Sequence, residues 1–453
     1  MNKNKSITVL FNQILSHAGF RRYAGNTLWL FGEKFLKIVI GIAITVWVIR
    51  YLGPEQFGLL SYAISFVGLF SVIATVGLEK ILIRELVSGE FSHERLLGTA
   101  FGLRMVGVIC VFCLIGIFIQ LVDNNNNEHM LIFIIASAIL FQTLDVIKLY
   151  FKSKVLSKYE VFASAISLAA SSIIKILLII NHANIFAFAA VVIFDSFLLA
   201  ISLVYFYNRD TSSLYLGRSW LTPLKWKFDI ILAKKLFRDS WSLILSGVVV
   251  GIYMKFDQIM IKEMIDSTAV GQYAAAVKLS ELWYFIPVAI TGSVFPAIVA
   301  AKKINNHLYL QRLNRLYAFM FWTAFILAVV ISFSSNWIIL VLFGDAFSPA
   351  SDVLVIHIWT GIFVFVGVAS TQWFVSENLQ LYLLLNTSVG AILNIAFNLY
   401  LIPIYGIQGA AIASLISQVI SAYFMLLIWK KTRPNFFAIS KSLNIYKVLF
   451  HEI

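Results

Sequence analysis

Charge is scarce in this sequence. Of 453 residues only 13% are Asp, Glu, Lys or Arg, while 60% are hydrophobic; a soluble globular chain carries about twice that charged share. The deficit excludes an ordinary water-soluble fold and makes lipid the main solvent. Cysteine is nearly absent. The two present, Cys110 and Cys113, form a C-x-x-C inside an apolar run without the βαβ context of a redox pair, so they read as buried inert thiols. There is no G-x-x-x-x-G-K-[ST] loop, no H-E-x-x-H and no Asp-rich metal motif, and the histidines are scattered. These gaps argue against a P-loop NTPase, a resident metal, a cofactor or an enzymatic activity. The N-terminal stretch lacks a short apolar core followed by a small-residue cleavage site, so the first span is expected to serve as its own insertion signal.

What is present is a succession of apolar runs. A helix needs roughly 20 such residues to cross a bilayer, and runs of that length recur near 27–50, 57–79, 99–121, 130–151, 159–180 and 184–207. A second set lies near 240–261, 269–300, 316–342, 353–375, 381–402 and 406–429. Between the sets, Asn208 to Asp239 carries Arg209, Arg218, Lys225, Lys227, Lys234, Lys235 and Arg238 and reads as a basic linker. The expected organisation is an all-α polytopic membrane protein of about twelve transmembrane helices. It comprises an N-terminal lobe (1–207), a linker (208–239), a C-terminal lobe (240–430) and a tail (431–453).

The net charge of +13 would suggest nucleic acid in a soluble chain, but here the basic residues lie mainly in the connections, where they orient helices and touch anionic membrane lipid. Nucleic acid is therefore not an expected partner. About 26 Lys and Arg fall on the side of the N-terminus, against Arg50 and Lys262 on the other, which predicts cytoplasmic termini. The Asn124 to Asn127 tract falls in an external loop. The halves also echo each other. Phe57-Gly58 with Ser61-Tyr62-Ala63 matches Val270-Gly271 with Tyr273-Ala274-Ala275, as expected of parallel repeats with a substrate path between them.

Charges inside the runs persist only for a reason, since each costs roughly 2.5 to 3.5 kcal/mol at the centre of a span. Lys37, Asp195, Lys255 and Lys278 lie deep, whereas Arg104, Lys148 and Lys175 lie nearer helix ends and can snorkel. Spacing permits local pairs between Glu33 and Lys37, Asp145 and Lys148, and Lys278 and Glu281. Lys255 and Asp257, two residues apart, cannot face each other directly. The alternatives for the deep cations are structural ion pairs or a wet cationic cavity.

Two motifs carry a resemblance. Arg50-Tyr51-Leu52-Gly53-Pro54-Glu55-Gln56-Phe57-Gly58 precedes Gly77-Leu78-Glu79 and Arg84-Glu85-Leu86. Later, Phe256-Asp257-Gln258-Ile259-Met260-Ile261 precedes Val270-Gly271-Gln272-Tyr273, Lys278 and Phe295-Pro296. In these segments and in its layout the chain resembles the polysaccharide transporter (O-antigen flippase) branch of the multidrug, oligosaccharidyl-lipid and polysaccharide exporters; Lys262 stands where that family often has Gly. The resemblance implies two six-helix lobes around a central cavity that opens alternately to each face of a bacterial inner membrane. Its substrate would be a polyprenyl-pyrophosphate-linked oligosaccharide. Lys37, Arg84, Lys255 and Lys278 are the candidates to bind that anion, Asp195 and Asp257 the candidates for ion coupling, and polymerase and chain-length proteins of the pathway the candidate partners. Two readings compete: an ion-coupled drug antiporter on the same fold, whose cavity would be dominated by carboxylates and aromatics, and a membrane-bound glycan polymerase, which the short external loops disfavour.

Overall fold

The computed structural model describes residues 18–121, 126–212 and 224–443. Its side chains are described from Ile40 on, apart from residues 121, 211, 212, 296, 297, 303 and 304. Asn124 and Asn125 of the tract thus fall outside the described residues, as does the side chain of Lys37, whereas Asn126 and Asn127 open a helix.

Among the described residues every regular element is helical. In chain order they are α1 (Ala18–Thr75), α2 (Glu79–Ser88), α3 (His93–Leu121), α4 (Asn126–Gln142), α5 (Val146–Ser153), α6 (Lys158–Ile180), α7 (Ile185–Ser212), α8 (Ile230–Met264), α9 (Ser267–Glu281), α10 (Phe285–Ile304), α11 (Asn306–Phe343), α12 (Ala350–His357), α13 (Thr360–Ser376), α14 (Gln380–Val419), α15 (Met425–Ile428) and α16 (Arg433–Ser442). Lipid leaves no other choice, because backbone groups that cannot reach water must be satisfied within the segment. The described chain forms 10 apolar rods long enough to cross a bilayer. Two of them are double. α1 turns at Gly53 (φ 69°), followed by Pro54, and α14 turns at Gly406 (φ 59°), three residues after Pro403. Glycine is needed at both turns because its φ is positive there, and proline removes a backbone donor beside each. Counting each double rod as a pair gives twelve apolar segments.

The chain resolves into two compact units: Met1–Thr45 with Phe70–Leu245, and Val46–Leu69 with Ser246–Ile453. The first core stacks Leu78, Leu82 and Leu86 of α2 on Leu96 and Ala100 of α3, Val146 and Tyr150 of α5, and Leu232 and Leu236 of α8. These positions recur at i, i+4 and i+8, so each helix turns one stripe inward. α8 begins within the stretch that reads as linker in the sequence, and its N-terminal turns are sealed onto the first unit. Asp229 caps it by accepting from Ile231 and Leu232 N–H at 2.9 and 3.1 Å, and Arg95 pairs with the same carboxylate. Those bonds, first the Leu232 N–H and then the Arg95 guanidinium, hold the Asp229 carboxyl below its ordinary pKa.

The second core joins Ile298 of α10, Leu313, Tyr317 and Met320 of α11, Phe365, Ala369 and Trp373 of α13, and Ile439 of α16. Val46–Leu69 enters this unit through a crossing of bare backbones. A Cβ on Gly58 would overlap the Ser267 carbonyl and the Gly271 N–H, and one on Gly271 would overlap the Pro54 carbonyl. The two echoing sequence motifs therefore touch each other, in the manner of small-residue helix crossings in lipid.

Each unit contains interrupted helices. In the first, α1 and α2 part at Val76 and Gly77 (φ 53° and 59°), and α4 and α5 part at a 3₁₀ turn, Thr143–Asp145. In the second, α9 and α10 part at a 3₁₀ turn, Leu282–Tyr284, and α12 and α13 part at Ile358 and Trp359. Cys110 and Cys113 are both exposed, which corrects the expectation that they are buried: they lie beside exposed Val106, Ile109 and Ile117, and on a membrane-spanning helix a small apolar side chain needs no protein partner.

Candidate functional site

The second unit encloses a cavity of about 60 Å³, enough for a few water molecules. Its walls are short i, i+4 series from separate helices: Tyr253 and Asp257 of α8, Tyr273, Val277 and Glu281 of α9, Thr360 and Val364 of α13, and Ser414 and Gln418 of α14. His357 and Tyr284 enter at the two helix breaks. Without those interruptions the helix would turn each of these side chains elsewhere.

Asp257 is the centre of the site. It is 6% exposed, and neutral donors hold its carboxylate: Tyr273 Oη and Asn398 Nδ2 at 2.7 Å each and Ser414 Oγ at 2.5 Å. Asn398 also donates to Asn394 Oδ1 at 3.2 Å, and Tyr253 donates to Gln418. Among the described residues no cation forms an ion pair with Asp257. Ser280 Oγ lies 2.5 Å from His357 Nδ1, whose ring meets Tyr273 edge to face. Thr360 Oγ1 and Asn398 Oδ1 are buried without a hydrogen-bond partner; an orphaned acceptor in such a place is costly unless a water or ion satisfies it. Glu281 lies within electrostatic reach of Lys255, Lys278 and Asp257, and the Lys278 ammonium stands 5.9 Å from the centre of the Phe57 ring.

The other candidates fall in the first unit. Arg84 is held by two acids: Glu85 at 2.8 Å and Asp239, on α8, at 2.6 Å. Lys235 bridges Glu85 and Glu90 at 3.0 and 3.4 Å. Asp195 accepts from Ser167 Oγ at 2.6 Å and feels the charge of Lys175. A third group gathers at the helix breaks. Lys152 bridges Glu79 at 3.1 Å and Glu160 at 3.9 Å, and Lys148 pairs with Asp145 at 2.9 Å as its spacing suggested. Arg104, only 7% exposed, reaches toward the carbonyl of Gln142 beside the break, at 3.4 Å. Asp257 and Glu281 thus line one cavity, with Lys255 and Lys278 within electrostatic reach of Glu281, while Arg84 and Asp195 belong to the first unit.

Sequence reasoning missed His357, Ser414, Asn394 and Asn398. The asparagines did leave a signal, for Asn386, Gly390, Asn394 and Asn398 recur at intervals of four or eight in an apolar run and so share one helix face. No such pattern marks His357, which is placed by the break in its helix. Among the described residues no group of His, Cys, Asp or Glu is arranged to hold a metal ion.

Among the described residues, apolar helices of membrane-spanning length, several of them interrupted, define a multi-pass membrane protein. The family model described as polysaccharide biosynthesis protein matches residues 24–302, and the chain belongs to that family. It is 23% identical over 407 residues to a protein of Haloferax volcanii named "Probable flippase AglR", covering 86% of this chain and 80% of that one. Among solved structures it is similar to an inward-facing multidrug resistance MATE family transporter of the MOP superfamily, with a TM-score of 0.70 at 12% identity over 89% of this chain and 95% of that one. It is also similar to the lipid II flippase MurJ in an inward closed conformation, with a TM-score of 0.68 at 15% identity over 94% and 93%.

Proposed function

We propose that this chain is a flippase that moves a polyprenyl-pyrophosphate-linked oligosaccharide, the repeat unit of O-antigen or a related surface polysaccharide, from the cytoplasmic to the periplasmic face of a bacterial inner membrane by alternating access. The observation that carries the reading is membership in a polysaccharide biosynthesis family together with a relative named as a probable flippase. The sequence has no P-loop to hydrolyse a nucleotide, so uphill transport needs an ion or the gradient of the substrate itself. Asp257 supports the first option: a carboxylate held by neutral hydroxyls and an amide beside a cavity large enough for water can exchange a proton or bind a small cation without breaking an ion pair. In this reading Lys37, Lys255 and Lys278 contribute to the anion site. Arg84 receives the pyrophosphate once it is released from Glu85 and Asp239, and both termini are cytoplasmic. Polymerase and chain-length proteins would act on the flipped product.

A drug antiporter is favoured by one observation, the acids and aromatics Asp257, Glu281, Tyr253 and Tyr284 around the cavity, a lining that suits organic cations. Deleting the gene separates the two. A flippase leaves its lipid-linked glycan stranded on the cytoplasmic face, whereas an antiporter leaves surface glycan intact and the cell sensitised to organic cations.

A further inference from the structure

The segment that follows the last apolar rod is basic throughout. From Glu377 to Glu452 the sequence has no acidic residue, yet Lys430, Lys431, Arg433 and Lys441 crowd the end of α15 and the whole of α16. Among the described residues none of these four pairs with an acid. α16 is firmly seated. Asn435, Ala438, Ile439 and Ser442, at i, i+3, i+4 and i+7, are buried, and Asn435 accepts from Tyr317 Oη at 2.5 Å while donating to Ser370 Oγ at 2.6 Å. Thr432, fully buried, ties the preceding turn to the Leu426 carbonyl at 2.7 Å.

That docking fixes what the opposite face presents. Arg433, Phe437 and Lys441 are exposed at i, i+4 and i+8, a stripe of cation, aromatic ring and cation, with Phe437 exposed by 55%. Lys430 and Lys431 extend the charge, exposed Ile428 precedes them, and the half-buried Trp429 indole donates to Asn386 at 3.2 Å. Facing water alone, a large ring at the centre of such a stripe would be a cost. At the boundary of a bilayer the ring enters the acyl region, the indole sits at headgroup level and the cations meet phosphate.

We propose that the outer face of α16, with Lys430 and Lys431, is a docking surface for the phosphate headgroups of anionic phospholipid in the leaflet on which the C-terminal segment lies. Several cations acting together near an anionic surface give selectivity over zwitterionic lipid, and Phe437 sets the depth. The inference rests on the membrane character of the chain and not on its substrate.

The test uses the full-length protein in nanodiscs of phosphatidylcholine doped with a photoactivatable phosphatidylglycerol, phosphatidylcholine or polyprenyl diphosphate probe, read by mass spectrometry of labelled peptides. The phosphatidylglycerol probe should label residues 429–443 about threefold or more above the phosphatidylcholine probe, and raising the salt should erase the preference. The variant K430Q/K431Q/R433Q/K441Q should fall to the phosphatidylcholine level, while K430R/K431R/K441R keeps the preference and F437S lowers labelling by both phospholipids. Equal labelling of the wild type by the two phospholipids, or labelling by the polyprenyl diphosphate alone, would overturn the proposal. Should the neutralised variant not accumulate, the salt titration on the wild type decides.

Discussion

Both units bring polar groups together where two of their helices are interrupted, but they treat charge in opposite ways. In the first unit Glu79, Asp145 and Glu160 face Lys148, Lys152 and Arg104, so acids and bases neutralise one another across α2, α3, α5 and α6. In the second unit the most deeply buried acid, Asp257, rests on a phenol, an amide and a hydroxyl beside a cavity. A balanced set of ion pairs gains little by exchanging a proton or a cation, since each exchange leaves a partner uncompensated. An acid held by neutral donors has no such partner to abandon. The first arrangement suits a scaffold and the second a working site.

The sharpest way to break this contrast is to neutralise one acid in each unit. Asp257→Asn keeps the shape of the site while removing its charge and one of its two acceptor oxygens, so transport per molecule should fall by about tenfold or more, within the range of site-to-site coupling. Wild-type transport by a well-folded Asp257→Asn protein would place it with the structural acids. Asp145→Asn should do the reverse. Transport per molecule is retained, and thermal unfolding in detergent shows a loss of about 1 to 3 kcal/mol, because Lys148 and the buried Arg104 lose compensation.

The third test is steric. Gly58→Leu inserts a side chain where Gly58 meets the backbone of Ser267 and Gly271, and should cost about 1 to 3 kcal/mol or more. The control Gly116→Leu, where a Cβ meets nothing within 4 Å, should leave the melting temperature nearly unchanged. Equal losses at the two positions would mean that the backbone crossing is not what holds Val46–Leu69 in its unit.

The smallest expected effect lies at the start of α8. The folded state depresses the pKa of Asp229, so its contribution is present above the unfolded carboxylate value of about 3.9 and fades as pH falls through the lower, folded value. Asp229→Asn should flatten the acid limb of a melting-temperature profile below about pH 4 and leave the neutral region little altered.

Much of the fold was legible because lipid permits few solutions. Runs of about 20 apolar residues announce the spans, and Gly53-Pro54 and Gly406 mark the turns. The site was legible only in part. The charges that depth picks out are Lys37, Asp195, Lys255 and Lys278, whereas Asp257 entered through the family-like segment Phe256 to Ile261, and nothing in the sequence ranks it above them. The pairing of Arg84 with Asp239 spans 155 residues, beyond any local spacing rule. His357 carries no signal at all, since its place in the cavity depends on where α12 stops.

Composition and hydropathy by themselves determined that the chain lives in a membrane, that it is helical and roughly how many times it crosses, because the cost of burying peptide groups in lipid acts on every residue in the same way. The tertiary structure alone decided that Gly58 meets Gly271, that Val46–Leu69 packs with the C-terminal unit, and that Asp257 lies among neutral donors while Glu79, Asp145 and Glu160 of the first unit lie among cations. Those outcomes depend on which helix faces meet and where helices break, and such contacts join residues far apart in the chain that no short-range pattern connects.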